Sequence, residues 1–412
     1  MSLQDNAAAA AAEKTSSAYR AAFTDWLACA CAGANERAAR AMRASGADLV
    51  ADVAFAATAG HVLDFDDTFS EGVAHVSAAS APAALVVAAH LERSLGAALA
   101  AYAEGYEAMA AVAAASHPAL YDAGWHPTAV CAPIGSAVAA SRLLGLPTAE
   151  RENAVALGLL RAGGTRGAFG SDAKSIQVGL AAAAGVQAAL LAHAGATADR
   201  RAIHGPLGFA AVLGASWPEA GIVHAGPRDA ARAIERNWIK LSPSCLGTHA
   251  PIEAAELACE HGFRPADDEL AVLVHPLARQ AAHLDLVDDG LSAKFSIPYC
   301  VAHTLMHGPP RVSDFGAIDA VVRESSRSVT VVSDPSMPEL GAALVVGEHE
   351  LARVPCPRGA PERPATPGQL AGKITALAGN RLQGLLEDLD LPAAAALEAA
   401  GLRGATPGAT RP

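Results

Sequence analysis

Apolar positions recur at helical spacing through most of the first 262 residues. Between residues 17 and 262 this pattern predicts a series of helices separated by Gly, Pro or polar turns. Alanine fills many of the apolar positions. Because alanine has the highest helix propensity and a small side chain, it favours closely packed helices. The predicted helices span 21–32, 47–60, 81–93, 99–115, 131–144, 149–162, 176–193 and 251–260.

The pattern changes near residue 263. Short β-rich runs at 270–275, 328–332 and 343–346 predict strands, and a helical stretch at 299–307 lies among them. Helical patterns return at 369–386 and 392–402, before a tail rich in Pro, Gly and Thr that we expect to be disordered. We therefore predict a mainly α protein with an α+β insert. The expected units are an all-helical domain at 1–266, an α+β domain at 267–370 and C-terminal helices at 371–412 that rejoin the helical domain.

Charge and composition exclude several classes of protein. The 412 residues carry a net charge of −12, whereas binding to nucleic acid needs a basic face. The seven cysteines are odd in number and contain no C-x-x-C, so they suit neither disulfides nor a zinc or iron–sulfur site. No signal peptide pattern is present, and the longest apolar run, 76–91, is too short and polar to cross a bilayer. We expect a cytoplasmic protein with no membrane partner.

Lysine is scarce, with five lysines against 25 arginines. Lys174, Lys240 and Lys294 lie among Gly, Pro, His and Cys. Each is either a site that needs a compact ammonium group with a tunable pKa, which a guanidinium cannot replace, or a lysine that has survived by chance. Lys14 lies in a polar N-terminal segment and Lys373 in an amphipathic stretch, so we predict that both are on the surface. A few cations in a cleft can still attract an anionic substrate to an acidic protein.

The densest polar cluster spans residues 61–75. On a helix, His61, Asp64 and Thr68 would share one face, and three acids at 64, 66 and 67 would need a partner cation. Asp66 alone fits a solvated acid at a helix C-terminus. Thr68 opens a polar loop that leads to His75. The cluster lacks the adjacent His-Asp of metallophosphohydrolases and the third acid of the terpene-synthase motif, so magnesium is weakly supported.

Two further clusters lie at predicted helix starts. Pro127 should begin a helix and leave His126 at its entrance, facing a cleft; a buried structural histidine is the alternative. Lys174 follows the polar loop 170–173 at a helix N-terminus, where the dipole favours anions. A carboxylate ligand there would interact favourably with the lysine and with the helix dipole. A solvated loop lysine is equally compatible with the pattern.

The last two clusters are 238–249 and 294–299. The first is an irregular loop that carries Lys240, Cys245 and His249 just before a helix. Cys245 has no assignable acid–base partner, so we interpret it as a small packed residue and not as a nucleophile. The second cluster begins a helix in the α+β insert and contains Tyr299.

In chain order, these motifs resemble the MmgE/PrpD family over residues 17–390. They are His-x-x-Asp-Phe-Asp-Asp-Thr…His, Gly-Trp-His-Pro-Thr, Gly-x-x-x-Lys, Lys-x-x-Pro-Ser-Cys-x-x-x-His and Lys-Phe-Ser-x-x-Tyr. The family includes 2-methylcitrate dehydratase, cis-aconitate decarboxylase and iminodisuccinate epimerase. The resemblance implies a large all-helical domain, a smaller α+β lid domain, a cleft between them and a homodimer. It implies no metal and no organic cofactor.

The resemblance also places residues of these motifs in the cleft, and for them we hypothesise the following roles. Lys174 and Lys240 would hold the carboxylates of a small di- or tricarboxylate, and Asp64 would orient a neighbouring cation. His126 would be the general base, or the acid in the reverse direction, while His75 and Tyr299 would deliver protons. The expected catalytic residues are Asp64, His75, His126, Lys174, Lys240 and Tyr299, and the expected substrate-binding residues are Thr68, Lys174, Lys240, Cys245 and His249.

The sequence departs from its relatives at two places. Val76-Ser77 follows His75 where relatives usually have Pro-Gly, and Gln177 lies in a segment where many have Pro and His. We interpret these as changes at the rim that contacts substrate. Lys294 falls where relatives also accept arginine. A lyase, either dehydratase or decarboxylase, is the first expectation, an epimerase the second, and a non-catalytic binding protein or a diverged biosynthetic enzyme the third.

Overall fold

The larger part of the protein is built from helices that follow the hydrophobic pattern. A computed structural model describes residues 3–214, 217, 232–264 and 269–403, with side chains from residue 16 onward. Every helix predicted up to residue 193 is present, and α1 begins earlier than expected. The helices are α1 Leu3–Gly33, α2 Arg37–Ala44, α3 Leu49–His61, α4 Ser77–His90, α5 Leu95–Ser116, α6 Ala119–Asp122, α7 Pro127–Leu143, α8 Thr148–Leu159, α9 Ala173–His193, α10 Arg201–His204 and α11 Phe209–Val212.

Small residues let α9 approach its neighbours closely. A Cβ atom on Gly179 would lie 2.6 Å from the Ala54 carbonyl oxygen of α3, and one on Gly185 would lie 2.4 Å from the Pro133 carbonyl oxygen of α7. Within the described part of the chain, α9 is the one helix long and apolar enough to cross a bilayer, yet 67% of its most apolar window is buried inside the protein. Packing against other helices therefore accounts for its apolar composition.

The smaller part combines helices with a four-stranded sheet. Its helices are α12 His249–Glu260, α13 Pro276–Ala281, α14 Gly290–Ala293, α15 Ile297–His307 and α16 Ala320–Ser326. The strands β3 Leu270–Val274, β4 Val329–Ser333, β5 Ala342–Val346 and β6 His349–Val354 are ordered β4-β3-β5-β6. β3 runs parallel to β4, and the other pairs are antiparallel. This confirms a mainly α fold with a small α+β part. β6, in which the exposed residues His349, Glu350 and Arg353 interrupt the apolar pattern, was not predicted.

The core of the smaller part begins earlier than expected. Ala254, Ala255 and Ala258 of α12 are buried with Leu270 and Val272 of β3 in one apolar cluster. The change from one core to the other therefore precedes α12, whereas the sequence pattern suggested residue 266.

The C-terminal helices α17 Pro367–Ala378 and α18 Ala393–Ala399 pack in the core of the helical part, through Leu377 and Ala396. Gly379, with φ of 58°, ends α17 earlier than the predicted residue 386. The predicted disordered tail from residue 404 lies outside the described residues.

A short ladder joins two distant segments that carry polar residues. β1 Thr68–Phe69 pairs antiparallel with β2 Asn237–Trp238, with Thr68 opposite Trp238. The pairing brings the segment after α3 beside the loop that begins at Lys240. The segments that contribute the first and fourth polar clusters of the sequence are thus neighbours.

Candidate active site

The chain leaves α3 at His61 through a turn with an unusual backbone conformation. Asp64 has φ of 52°, a left-handed conformation that is uncommon for residues other than glycine. The predicted single helix face is therefore wrong: His61 ends α3, Asp64 lies in the turn and Thr68 lies in β1. The turn directs the Asp64 carboxylate and the backbone carbonyls around it towards a set of cations.

Lysine ammonium groups bind the backbone of this turn. Three successive carbonyl oxygens accept hydrogen bonds: Leu63 from Lys294 at 2.6 Å, Asp64 from Lys240, and Phe65 from Lys373 at 2.6 Å. The prediction that Lys373 lies on the surface is wrong, since it is 6% exposed and also pairs with the buried Asp25. All four lysines with described side chains contact residues 63–65, while the side chain of Lys14 lies outside the described part.

The Asp64 carboxylate is the meeting point of two of these cations. Its Oδ1 accepts hydrogen bonds from Lys174 at 3.0 Å and Lys240 at 2.8 Å, and His75 Nε2 lies 3.6 Å away. Burial alone would raise the pKa of Asp64, but Lys174 and Lys240 hold it well below its usual range. Two ammonium groups share this one anion, and Lys294 brings a third cation to the same turn, so the cations there outnumber the ionised carboxylates of Asp64 and Asp66.

Asp66 fixes the protons of two histidines. It is fully buried, so the interpretation of a solvated acid is wrong, and its Oδ2 lies 2.9 Å from His61 Nδ1 and 3.1 Å from His75 Nδ1. Burial would raise its pKa, but the two rings hold it well below the usual range. Because an ionised carboxylate only accepts hydrogen bonds, both Nδ1 atoms carry hydrogen. Thr68 Oγ1 lies 3.3 Å from the same nitrogen of His75.

His75 therefore has an unprotonated Nε2 when it is neutral. Burial lowers its pKa below the usual value, although Asp66 opposes this effect. Burial likewise lowers the pKa of the neighbouring His61 to about 4. At neutral pH the Nε2 lone pair of His75 faces Asp64 and its lysines, where it can take a proton.

Asp67 helps to hold the segments around the site together. Its Oδ2 accepts hydrogen bonds from Ser77 and Asn237, each at 2.7 Å. Burial and the nearby Asp25 raise the pKa of Asp67 well above its usual value. Ser77, one of the departures from relatives, is fully buried and also contacts the Tyr102 hydroxyl at 2.7 Å. This departure therefore lies behind the site and not on a substrate-contacting rim.

His126 lies at the entrance of α7, the position predicted from the sequence. Its backbone N–H donates to the Gly164 carbonyl at 3.0 Å, and the ring packs edge-on against Phe169 with centroids 5.0 Å apart. Its Nδ1 lies 2.7 Å from Gln177 Nε2. Burial, followed by the charge of Lys174, lowers the pKa of His126 well below its usual value.

The remaining wall of the site comes from aromatic residues and the loop after Lys240. The Lys174 ammonium lies 5.7 Å from the Phe169 ring and 5.5 Å from the Phe295 ring. Burial and the charge of Asp64 raise the pKa of the Cys245 thiol to about 11. Cys245 is therefore protonated at neutral pH, and a nucleophilic role is not supported.

Two predicted site residues point elsewhere. The Tyr299 hydroxyl accepts a hydrogen bond from the Asp319 backbone N–H at 3.2 Å, and its ring is fully buried with Phe315 in a separate apolar cluster. His249 Nε2 lies 3.3 Å from the Ser244 carbonyl oxygen, and the residue lines a different cavity of about 580 Å³. His61, Asp66 and Gln177 were noted in the sequence but assigned no catalytic or binding role, whereas the structure brings each into contact with a catalytic candidate.

One group of side chains has the spacing of metal ligands. His61, Asp66 and His75 each offer an atom within 4.8 Å of the others. Both Nδ1 atoms already donate hydrogen bonds to Asp66, so an ion bound there would have to displace those protons. We interpret the trio as a hydrogen-bonded support for His75.

The fold and the site define a two-part, mainly α protein with a buried group of lysines, carboxylates and histidines where the two parts meet. Residues 45–219 match the MmgE/PrpD N-terminal domain, and residues 242–395 match the MmgE/PrpD C-terminal domain. The chain belongs to the MmgE/PrpD family, which confirms the resemblance seen in its motifs.

The chain is similar to cis-aconitate decarboxylase from two mammals. Human cis-aconitate decarboxylase is 25% identical over 273 residues, which cover 62% of this chain and 55% of the relative. The mouse protein of that name is 25% identical over 231 residues, covering 52% of this chain and 46% of the relative. The chain spans about half the length of the curated relatives it matches.

Proposed function

We propose that this protein is a cofactor-independent lyase that acts on a small di- or tricarboxylate. The observation that carries this proposal is the buried carboxylate of Asp64, which holds two ammonium groups beside a histidine with a free Nε2. Such a site can bind one carboxylate of a substrate and move a proton at the adjacent carbon. The family and the names of the two relatives support a lyase at this coarse level.

Binding of the substrate would use the surplus positive charge. Lys174 is 7% exposed and lies at the edge of the buried group, whereas Lys240 is fully buried behind it. A substrate carboxylate would approach Lys174 first, while Asp64 keeps both ammonium groups in place. Fixed cations stabilise the charge that develops on the carboxylate when the neighbouring carbon loses a proton.

His75 would exchange the proton with substrate. Its Nε2 takes a proton from the carbon, the electron pair moves into the adjacent carboxylate, and Asp66 stabilises the imidazolium through Nδ1–H. In a dehydration, the electron pair then forms the carbon–carbon double bond as the hydroxyl on the next carbon leaves, and the imidazolium protonates it to water. In a decarboxylation no proton is taken from carbon: the C–C bond to one carboxylate breaks, carbon dioxide leaves, and a protonated His75 delivers its proton to the product carbon. We assign no step to Tyr299, because its hydroxyl already accepts the Asp319 N–H in another part of the fold.

The proposal is tested with a panel of small di- and tricarboxylates, including cis-aconitate, in heavy water. We expect net loss of water or carbon dioxide from at least one compound, with deuterium entering beside a carboxylate. Exchange without net product would identify an epimerase instead. The absence of exchange and product across the panel would contradict the proposal and favour a binding protein.

Lys174→Ala tests the site within the same assay. Removing a cation that stabilises developing charge should lower turnover by about 10²-fold or more. Arg161→Ala is the matched control, because it also removes a cation but from an exposed position. Equal turnover in Lys174→Ala and the control would show that the chemistry takes place elsewhere.

We also propose that the protein forms a homodimer, as the resemblance implies. Leu180 and Leu191 of α9 are 56% and 48% exposed, and their spacing of eleven residues places them on one helix face. The mass in solution, measured by light scattering, tests this. Leu180→Glu with Leu191→Glu should yield a monomer if this face lies in the interface, and an unchanged dimer would exclude it. The cytoplasmic compartment stays a prediction.

A further inference from the structure

The side-chain amide of Gln177 has one orientation that satisfies its backbone neighbours. The Thr165 N–H donates to Gln177 Oε1 at 3.0 Å, and Gln177 Nε2 donates to the Thr165 carbonyl at 3.3 Å. A backbone N–H can only donate and a carbonyl can only accept. The oxygen and nitrogen of the amide are therefore distinguished by the contacts themselves, without reference to the histidine.

The chain is built for this contact at Gly164. This residue has φ of 111°, and a Cβ atom there would lie 2.8 Å from Gln177 Oε1. Glycine supplies both the backbone conformation and the space for the amide. The same glycine accepts the backbone N–H of His126, so one loop positions the backbone of His126 and the partner of its ring.

The second hydrogen of Gln177 Nε2 determines the protonation of His126. It points to His126 Nδ1 at 2.7 Å, and Nδ1 must accept it. An imidazolium ring would place its own N–H against that of the amide, so this contact disfavours the charged form. Burial and Lys174 act in the same direction on the pKa of His126. The neutral ring then carries its proton on Nε2.

The Nε2 edge of His126 is free to meet a ligand. Among the described residues, no hydrogen bond uses this nitrogen, and it is not one of the fully buried polar atoms that lack a partner. The ring lies 5.9 Å from that of His61 and shares the Phe169 wall with Lys174. A carboxylate at Lys174 could therefore accept a second hydrogen bond from Nε2–H.

We infer that Gln177 is a positioning residue that holds His126 as a neutral hydrogen-bond donor to the substrate carboxylate, so that His126 is not the base. This deepens the proposed function and rests on it. The proton moves from the substrate carbon to His75 Nε2, and the C–H electron pair moves into the carboxylate. His126 and Lys174 keep their protons and donate to the resulting negative oxygen. A neutral imidazole can stabilise an oxyanion in this way.

The two histidines thus carry opposite tautomers. Asp66 accepts from Nδ1 of His75 and leaves its Nε2 unprotonated, whereas Gln177 donates to Nδ1 of His126 and leaves its Nε2 protonated. One ring can take a proton and the other can only donate a hydrogen bond. This assignment, with His75 as the base and His126 as a hydrogen-bond donor, replaces the expectation that His126 is the general base.

The test is the change Gln177→Glu, followed in histidine-labelled protein by nitrogen-15 NMR. His126→Gln identifies the signals of the ring. In the unchanged protein we expect an unprotonated Nδ1 and a protonated Nε2. The glutamate keeps the length but accepts where glutamine donated, so the proton should move to Nδ1 or the ring should become charged. Turnover should fall by about 10²-fold, mainly in kcat, because the lost hydrogen bond forms with developing charge.

Gln187→Glu is the matched control, since it adds the same charge at an exposed position of α9. It should change neither the His126 signals nor turnover. A protonated Nδ1 in the unchanged protein would overturn the inference, as would full turnover in Gln177→Glu after its ring has switched. The NMR measurement needs no substrate. If it agrees with expectation while no carboxylate reacts, the proposed function fails and the assigned tautomer stands.

Discussion

Asp66 determines which nitrogen of His75 is available for chemistry. Its carboxylate accepts from the Nδ1 atoms of His61 and His75, and both rings are neutral because burial lowers their pKa values. When His75 takes a proton from the substrate through Nε2, the same carboxylate stabilises the resulting imidazolium. Asp66 therefore acts through His75 and needs no contact with the substrate.

The change Asp66→Asn tests this dependence. An asparagine amide can donate to Nδ1, which moves the proton of His75 to Nε2 and removes the base. We expect turnover to fall by about 10³- to 10⁴-fold, the scale found when an orienting carboxylate is lost. Binding of a non-reacting tricarboxylate should change much less. Comparable losses in binding and turnover would indicate that the site has collapsed, and unchanged turnover would exclude His75 as the base.

The residues of the candidate site could be predicted only in part from the sequence. The scarcity of lysine and the polar clusters drew attention to Lys174, Lys240 and the acidic segment, and the family resemblance placed them in one cleft; Lys174 and Lys240 do contact Asp64. Lys373 was missed because its amphipathic helix has the pattern of a surface helix, although its ammonium is buried against Asp25. Contacts such as that between Gln177 and His126 depend on the path of the intervening loop, which no sequence periodicity encodes.

At the scale of elements, α17 is joined to α1 by a buried ion pair. Lys373 of α17 contacts Asp25 of α1, donates to the Phe65 carbonyl at 2.6 Å and lies 4.1 Å from the Phe65 ring. Burial would lower the pKa of Lys373, but Asp25 raises it above the usual value. Helix α17 thus holds the turn that carries Asp64 in place, although the two lie some three hundred residues apart in sequence.

Lys373→Met should weaken this connection strongly. It leaves Asp25 buried without its partner, and such a change costs about 3–5 kcal/mol of unfolding free energy. Replacing both residues, as Asp25→Leu with Lys373→Met, should restore much of the stability. Urea unfolding measures both variants, with the exposed Arg93→Met as control. If Lys373→Met were as stable as Arg93→Met, the buried ion pair would not contribute to stability as expected.

Helices and strands could be predicted where the local hydrophobic pattern alone determines them. Alanine-rich helices appeared within a few residues of their predicted ends, apart from the start of α1 and the end of α17. The two-residue strands β1 and β2 were not predicted, because they exist only through their mutual pairing. The packing of α12 with the sheet was also missed, since an apolar helix face does not identify its partner.

The molecule as a whole concentrates buried charge where its two parts meet. Segments from the N-terminal helix, the turn after α3, the start of α9, the Lys240 loop and α17 all contribute charged groups. Removing such groups from water is costly, so the surrounding fold must supply stability to hold them. This free-energy cost of burying charge is expected for a preorganised site, in which the charged groups are in position before the substrate binds.

Buried neutral histidines should make the stability of the whole protein depend on pH. Burial lowers the pKa of His61 to about 4 and, together with Lys240, that of His249 to about 3, whereas unfolded histidine titrates near pH 6.5. Below about pH 6.5 the unfolded chain therefore binds protons that the folded protein does not. The unfolding free energy should fall as pH falls, by up to about 1.4 kcal/mol per pH unit for each such histidine. Above that pH these groups contribute no slope.

His249→Gln isolates one of these contributions, since His249 points away from the Asp64 group. Urea unfolding between pH 6 and pH 5 should show a slope smaller by about one proton, or about 1.4 kcal/mol per pH unit. The exposed His90→Gln is the control, because it makes the same substitution on the surface. Equal slopes in the two variants would mean that His249 titrates normally in the folded protein. The acid sensitivity would then have to arise from the histidines beside Asp66.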